Sequence, residues 1–193
     1  HYFVNGIFSG LNYDKDQPGS SITISGDANI STDGTGVHAG ARSIITIGGG
    51  GTIRTEKHKN ISHFALNAEE GIINMNAKLN QAGEMIGAGN RTTKVYGNIG
   101  IIDREESANI SGSRPTVINL GLTTSDSVLR GVVLDDFKEH NKNEPDKKDI
   151  RERTGLSMYL QNGASWHNEV WGTMVPSEPW RGVSHSFTGC VLL

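Results

Sequence analysis

The stretch LSMYLQNGASWHNEVWG, Leu156 to Gly172, carries the pattern that decides the fold. Leu156, Met158 and Leu160 alternate with Ser157, Tyr159 and Gln161, which predicts a strand with one buried face. Asn162-Gly163 follows. Both residues tolerate positive φ, so they predict a tight corner. Ala164 and Trp166 then resume on one face. Strand, corner, strand is too apolar for a loop and too broken for a helix. Trp166 is expected to pack inside, with a sugar-stacking platform as the sharper alternative.

The same texture runs along the chain. SITIS (21–25), SIITI (43–47), GTIRT (51–55), HFALN (63–67), GIINMN (71–76), KVYGNIGIID (94–103), TVINLGL (116–122), SVLRGVVL (127–134) and SWHNEVW (165–171) are short, β-branched and roughly alternating. Such bursts predict strands. Twenty-five glycines in 193 residues is about 13%, against a usual 7%. Many short strands joined by Gly, Asn, Asp and Ser corners account for that excess.

Two all-β architectures compete: an antiparallel sandwich or barrel, and a parallel β-helix. The corners are mostly single Gly or Asx positions rather than two-residue hairpin turns, which favours the β-helix. DANIS (27–31), HKNIS (58–62) and SANIS (107–111) each place Asn-Ile-Ser near a corner, where asparagines can stack in ladders. Apart from residues 137–155, no segment has helical period or length, so no βαβ crossover is expected. A solenoid pairs strands in parallel without helices, because the chain lays each strand on the previous coil. At about 20 residues per coil, seven to nine coils are expected, a rod roughly 35–45 Å long. The expectation is a single solenoid segment over 1–193 with one charged loop protruding at about 137–155.

Net charge is −3, which gives no electrostatic case for nucleic acid. No apolar run reaches the roughly 18 residues of a membrane span, and no signal peptide is visible. The chain opens on His1 rather than Met, as a piece of a longer protein would. Cys190 is alone and cannot form an internal disulfide, so stability is expected from a long hydrogen-bonded sheet.

FKEHNKNEPDKKDIRER (137–153) is dense in charges of both signs. The plain reading is a solvated loop. The sharper one is a partner-binding protrusion carrying Lys138, His140, Lys142, Lys147, Lys148, Arg151 and Arg153, because rigid scaffolds tend to carry function on their loops. The balance of acids and bases there argues against a phosphate or heparin site on the loop.

LSMYLQNGASWHNEVWG also resembles a recurring element of the passenger domains of bacterial autotransporters, the pertactin-like β-helical family, where a Leu-x-Leu-x-Asn-Gly-Ala-x-Trp-x-Asn pattern marks coils of the stem. SHSFTG (184–189) is similar to a segment that often follows. The specific likeness covers about residues 156–189 and elsewhere is one of texture. The resemblance implies a right-handed parallel β-helix, secreted through the outer membrane and displayed on the cell surface as a stem or adhesin. It implies a host glycoprotein or glycan, or self-association, as partner, and contact with the membrane only through a C-terminal barrel that this chain lacks.

No strong catalytic constellation appears. GLSMY and GVSHS lack the second glycine of a nucleophile elbow, and there is no Gly-Asp-Ser-Gly run. The GGGG at 48–51 lacks the Lys-Ser/Thr and helix of a phosphate cradle and predicts a strained corner. His58 and His63 are five apart, without His-Glu-x-x-His, so no metal site is expected. His140 reads as solvated. Asp135-Asp136 is the best carboxylate pair for a polysaccharide hydrolase or lyase. The Asn-Thr-Asp, His-Gly and Arg-Ile-Lys elements that accompany such a pair in polygalacturonase-like enzymes are missing. Asp103, Glu105 and Glu106 form a second acidic cluster at a strand end. No catalytic residue, metal or cofactor is expected. The alternatives to a stem or adhesin are a carbohydrate-active β-helix enzyme and an inert spacer.

Overall fold

A computed structural model describes residues 5–10, 19–40, 42–57, 63–103, 116–137, 155–172 and 191–192. Within them the chain is all-β, with no helix. It visits three parallel sheets in a fixed order, circuit after circuit. The first circuit is β1 (Asn5–Ser9), β2 (Ser21–Ile24) and β3 (Ala28–Thr32). The second is β4 (Thr35–Ala39), β5 (Ile44–Ile47) and β6 (Gly51–Thr55). The third runs β7 (Phe64–Glu69), β8 (Ile72–Met75), a hairpin of β9 (Ala77–Leu79) and β10 (Met85–Ala88), then β11 (Thr93–Tyr96). The fourth is β12 (Asn98–Asp103), β13 (Val117–Leu122) and β14 (Val128–Arg130). The fifth is β15 (Val133–Phe137), β16 (Gly155–Leu160) and β17 (Ser165–His167), and β18 (Val191–Leu192) adds to the second sheet.

The sheet orders are β1-β4-β7-β12-β15, β2-β5-β8-β13-β16-β18 and β3-β6-β11-β14-β17, every pairing parallel. This arrangement is compatible with a β-solenoid. An antiparallel sandwich is not what these residues form. Among the described residues only β9 and β10 pair antiparallel, and the hairpin folds back against β13 and β16.

Register explains the core. In the second sheet, Ile22, Ile45, Ile73, Ile118 and Leu156 stand in one row, and Ile24, Ile47, Met75, Leu120 and Met158 in the next. In the third sheet, Ile30, Ile53, Val95, Leu129 and Trp166 form a row. The first sheet stacks Ile7, Val37, Leu66, Ile99 and Val133. These rows converge on one continuous core. β-branched side chains suit it, because each lies on its equivalent about 4.8 Å above. Burying one such side chain contributes about 1.5–3 kcal/mol.

The opening stretch folds as expected. Leu156 and Met158 are buried and Leu160 packs on the core. Asn162 (φ +55) and Gly163 (φ +79) make the corner, closed by Ala164 N donating to Gln161 O at 3.1 Å. Trp166 packs inward as the last member of its row, and its Nε1 donates to Gly131 O.

The glycine run at 48–51 is a corner clamped from both sides. A Cβ on Gly50 would lie 2.1 Å from Thr92 O, and one on Gly51, at φ +104, 2.1 Å from Ala28 O. Across this corner the exposed side chain of Arg91 pairs with Asp27 of the first circuit, Nε donating to Oδ1 at 3.1 Å. The hydrogen bond from Arg91, then that from Gly50 N, holds the Asp27 carboxyl below its ordinary value.

Asparagine ladders are present, but the best formed lies mid-strand. Asn119 Nδ2 donates to Asn74 Oδ1 at 2.8 Å, and Asn74 Nδ2 to Thr46 Oγ1 at 3.2 Å. At the corner after the second sheet, Asn76 (φ +49) donates to Gly121 O and Asn162 to Thr123 O. DANIS places its Asn-Ile-Ser inside β3, one residue past the corner. HKNIS and SANIS both lie outside the described residues.

The expected seven to nine coils are five circuits among the described residues. Their first strands begin at Asn5, Thr35, Phe64, Asn98 and Val133, so each takes about 30 residues, within the range of known repeats. Five stacked strands span about 19 Å from first to last. The excess length lies in three strands per circuit plus connections. Within the five circuits the longest fall at one corner: 11, 4, 2, 13 and 17 residues separate the first-sheet from the second-sheet strand in successive circuits.

Candidate functional site

The third sheet turns a polar face outward. Its strands are short, and the residue beside each core position must point away from the core. One outward row is Asn29, Thr52, Lys94, Val128 and Ser165. The other is Ser31, Arg54, Tyr96, Arg130 and His167. These ten positions hold three permanent cations and a histidine but no carboxylate. The chain as a whole has 21 acids against 18 bases. Arg54, Arg130 and His167 are exposed, and Lys94 and Tyr96 half-buried.

The second row is ordered by stacking. The Arg54 guanidinium lies over the Tyr96 ring, 4.0 Å from its centroid. The Tyr96 and Trp171 rings are 6.2 Å apart and tilted by 46°. Lys57 Nζ sits 5.4 Å from the Trp171 centroid. Such contacts contribute about 0.5–1 kcal/mol at exposed sites and restrict the cation's rotamers. Arg130 Nε meets Glu169 Oε1 at 3.2 Å, both about half exposed.

Trp171 is placed by a clamp. Asn98 is fully buried. Its Nδ2 donates to Trp171 O at 3.0 Å, and its Oδ1 accepts from Trp171 N at 3.0 Å and from Val132 N at 3.2 Å. The indole Nε1 donates to Thr55 O at 3.1 Å. Val170, just before it, packs on Phe64, Ile102, Val132 and Leu134, an apolar cluster outside the main core. Residues 168–172 therefore strap the outside of the corner between the third and first sheets, with Glu169 and Trp171 beside the cationic row.

The expected partner-binding residues Lys138, His140, Lys142, Lys147, Lys148, Arg151 and Arg153 lie outside the described residues, as do His58, Glu105, Glu106 and SHSFTG. The loop that carries them leaves from Phe137 and returns at Gly155, at the corner between the first and second sheets, not on the third. Asp135 and Asp136 occupy successive positions of β15, in register with Ile101 and Ile102. Among the described residues no cluster of three His, Cys, Asp or Glu has the arrangement of a metal site.

The sequence reading passed over Arg54, Tyr96, Arg130 and His167. Each directly follows the core residue of its strand, in Ile53-Arg54, Val95-Tyr96, Leu129-Arg130 and Trp166-His167. Aligning the strands on those core residues brings the four into one column. Comparison with protein-family models, with curated proteins and with solved structures returned no match.

Proposed function

We propose that the chain is a right-handed parallel β-helix, part of a secreted, cell-surface passenger of the autotransporter kind, acting as a stem that presents adhesive surfaces. The observation that supports this reading is the fold of residues 155–172. The Leu-x-Met-x-Leu strand, the Asn162-Gly163 corner and the inward Trp166 form strand, corner and strand in register with four earlier circuits, as a coil of such a stem would. The partner is a host glycoprotein or glycan, or a second passenger.

The work of such a stem is mechanical. Parallel stacking makes a stiff rod in which the strand backbone groups are hydrogen-bonded to the circuits above and below. Outward side chains then stand at fixed intervals along it. The test is binding of the labelled chain to epithelial cells and immobilised matrix glycoproteins, beside a variant with 138–153 replaced by Gly-Ser-Gly. Saturable binding by the parent chain is expected. Its loss in the variant assigns adhesion to the loop, and its retention assigns it to the sheet faces. No binding by either leaves an inert spacer and removes the adhesin reading.

A further inference from the structure

We infer that the outward face of the third sheet binds a linear sulfated polysaccharide laid along the stack, with Arg54 and Arg130 as its principal anion contacts and Lys94 between them. As the ligand of a displayed stem this rests on the surface reading above. As binding chemistry it stands on the face itself.

Charge comes first. Ten outward positions without a carboxylate, in a chain of net charge −3, are a local reversal of sign. Arg54 and Lys94 have no carboxylate partner among the described residues. Arg130 meets Glu169 through Nε, which leaves guanidinium N–H groups for a ligand. Guanidinium forks suit planar or tetrahedral oxyanions and hold them with paired hydrogen bonds.

Spacing comes second. Arg54 and Arg130 stand two strands apart in one row, about 10 Å along the stack. That is close to the length of one disaccharide in an extended chain. Three cations over that length, one of them offset by Glu169, leave two net positive charges, which call for more than one negative charge per disaccharide; a sulfated chain supplies that and a chain of uronates alone does not. Asn29, Ser31, Thr52 and Ser165 border the cations with amides and hydroxyls suited to sugar hydroxyls.

Order comes third. Arg54 is held on Tyr96 and Arg130 by Glu169, so less side-chain freedom is lost on binding. The same packing disfavours single-stranded nucleic acid, which needs open ring faces on which bases stack. One face of Tyr96 is covered by Arg54, and Trp171 is half-buried with Lys57 against its ring.

The experiment titrates size-defined heparin oligosaccharides into the full chain at low and physiological salt. It compares wild type, Arg54→Ser with Arg130→Ser, Arg54→Lys with Arg130→Lys, and the variant lacking 138–153, with circular dichroism on each. Binding that weakens with salt and falls at least tenfold in the serine pair is expected. An intermediate loss in the lysine pair, which keeps the charge and the fold, separates recognition from unfolding. The loop variant is expected to match wild type. The inference is overturned if wild type does not bind, if the serine pair binds equally, if the loss follows the loop, or if DNA of equal charge binds as tightly with the same sensitivity. Heparin binding without attachment to cells removes the adhesin reading and leaves this one. Attachment to cells without any binding of heparin does the reverse.

Discussion

Asn98 satisfies three backbone groups with one buried amide, two of them on a residue 73 positions away. Truncating it orphans the N–H and C=O of Trp171 and the N–H of Val132. An unsatisfied buried group costs about 1–3 kcal/mol, and water reaches part of this clamp, so Asn98→Ala is expected to lose about 2–4 kcal/mol in urea unfolding. Released from Thr55 and Tyr96, Trp171 should also show red-shifted fluorescence. An unchanged midpoint and spectrum would mean that the strap does not depend on the clamp. Nothing local in the sequence announces this role, because the clamp joins residues from different circuits. Asn162-Gly163 was legible for the opposite reason: the turn itself, with its positive φ angles and the bond from Ala164 N to Gln161 O, closes within four residues.

At the scale of the element, each strand is defined by the row it enters. Leu120 lies in the fourth circuit with Met75 on one side and Met158 on the other, and is fully buried. Ile22 sits in the first circuit, only partly buried. Leu120→Ala should therefore cost about 3–4 kcal/mol and Ile22→Ala about 1–2, since large-to-small losses grow with the cavity left behind. Equal losses in denaturant melts would contradict a stack whose interior is tightest between circuits. Period-two alternation made most of these strands legible. It could not count circuits, because a strand's own pattern says nothing about how many strands the chain makes before returning. The hairpin of β9 and β10 was missed as well. Its turn is built by Asn80 Oδ1 accepting from Ala82 N and Glu84 N at 2.9 Å each, with Gly83 at φ +81, and its strands, of three and four residues, are too short to show a period.

The whole molecule separates its long connections from its regular faces. Within the five circuits the longest gather at the corner between the first and second sheets, where added length leaves the stack undisturbed. The third sheet keeps short strands in unbroken register, so its cations and its tyrosine recur at strand spacing. The sequence reading looked for binding in the charged loop, where like residues are neighbours in the chain. Arg54, Tyr96, Arg130 and His167 are neighbours only through the winding, and no window of sequence contains them together. The winding is thus the central claim, and backbone nuclear Overhauser contacts in the isotope-labelled chain test it most directly. Lys94 should contact both Thr52 and Val128, on either side and in parallel register. Antiparallel contacts between strands consecutive in the chain, such as β5 with β6 and β13 with β14, would instead describe a meander and contradict the stack.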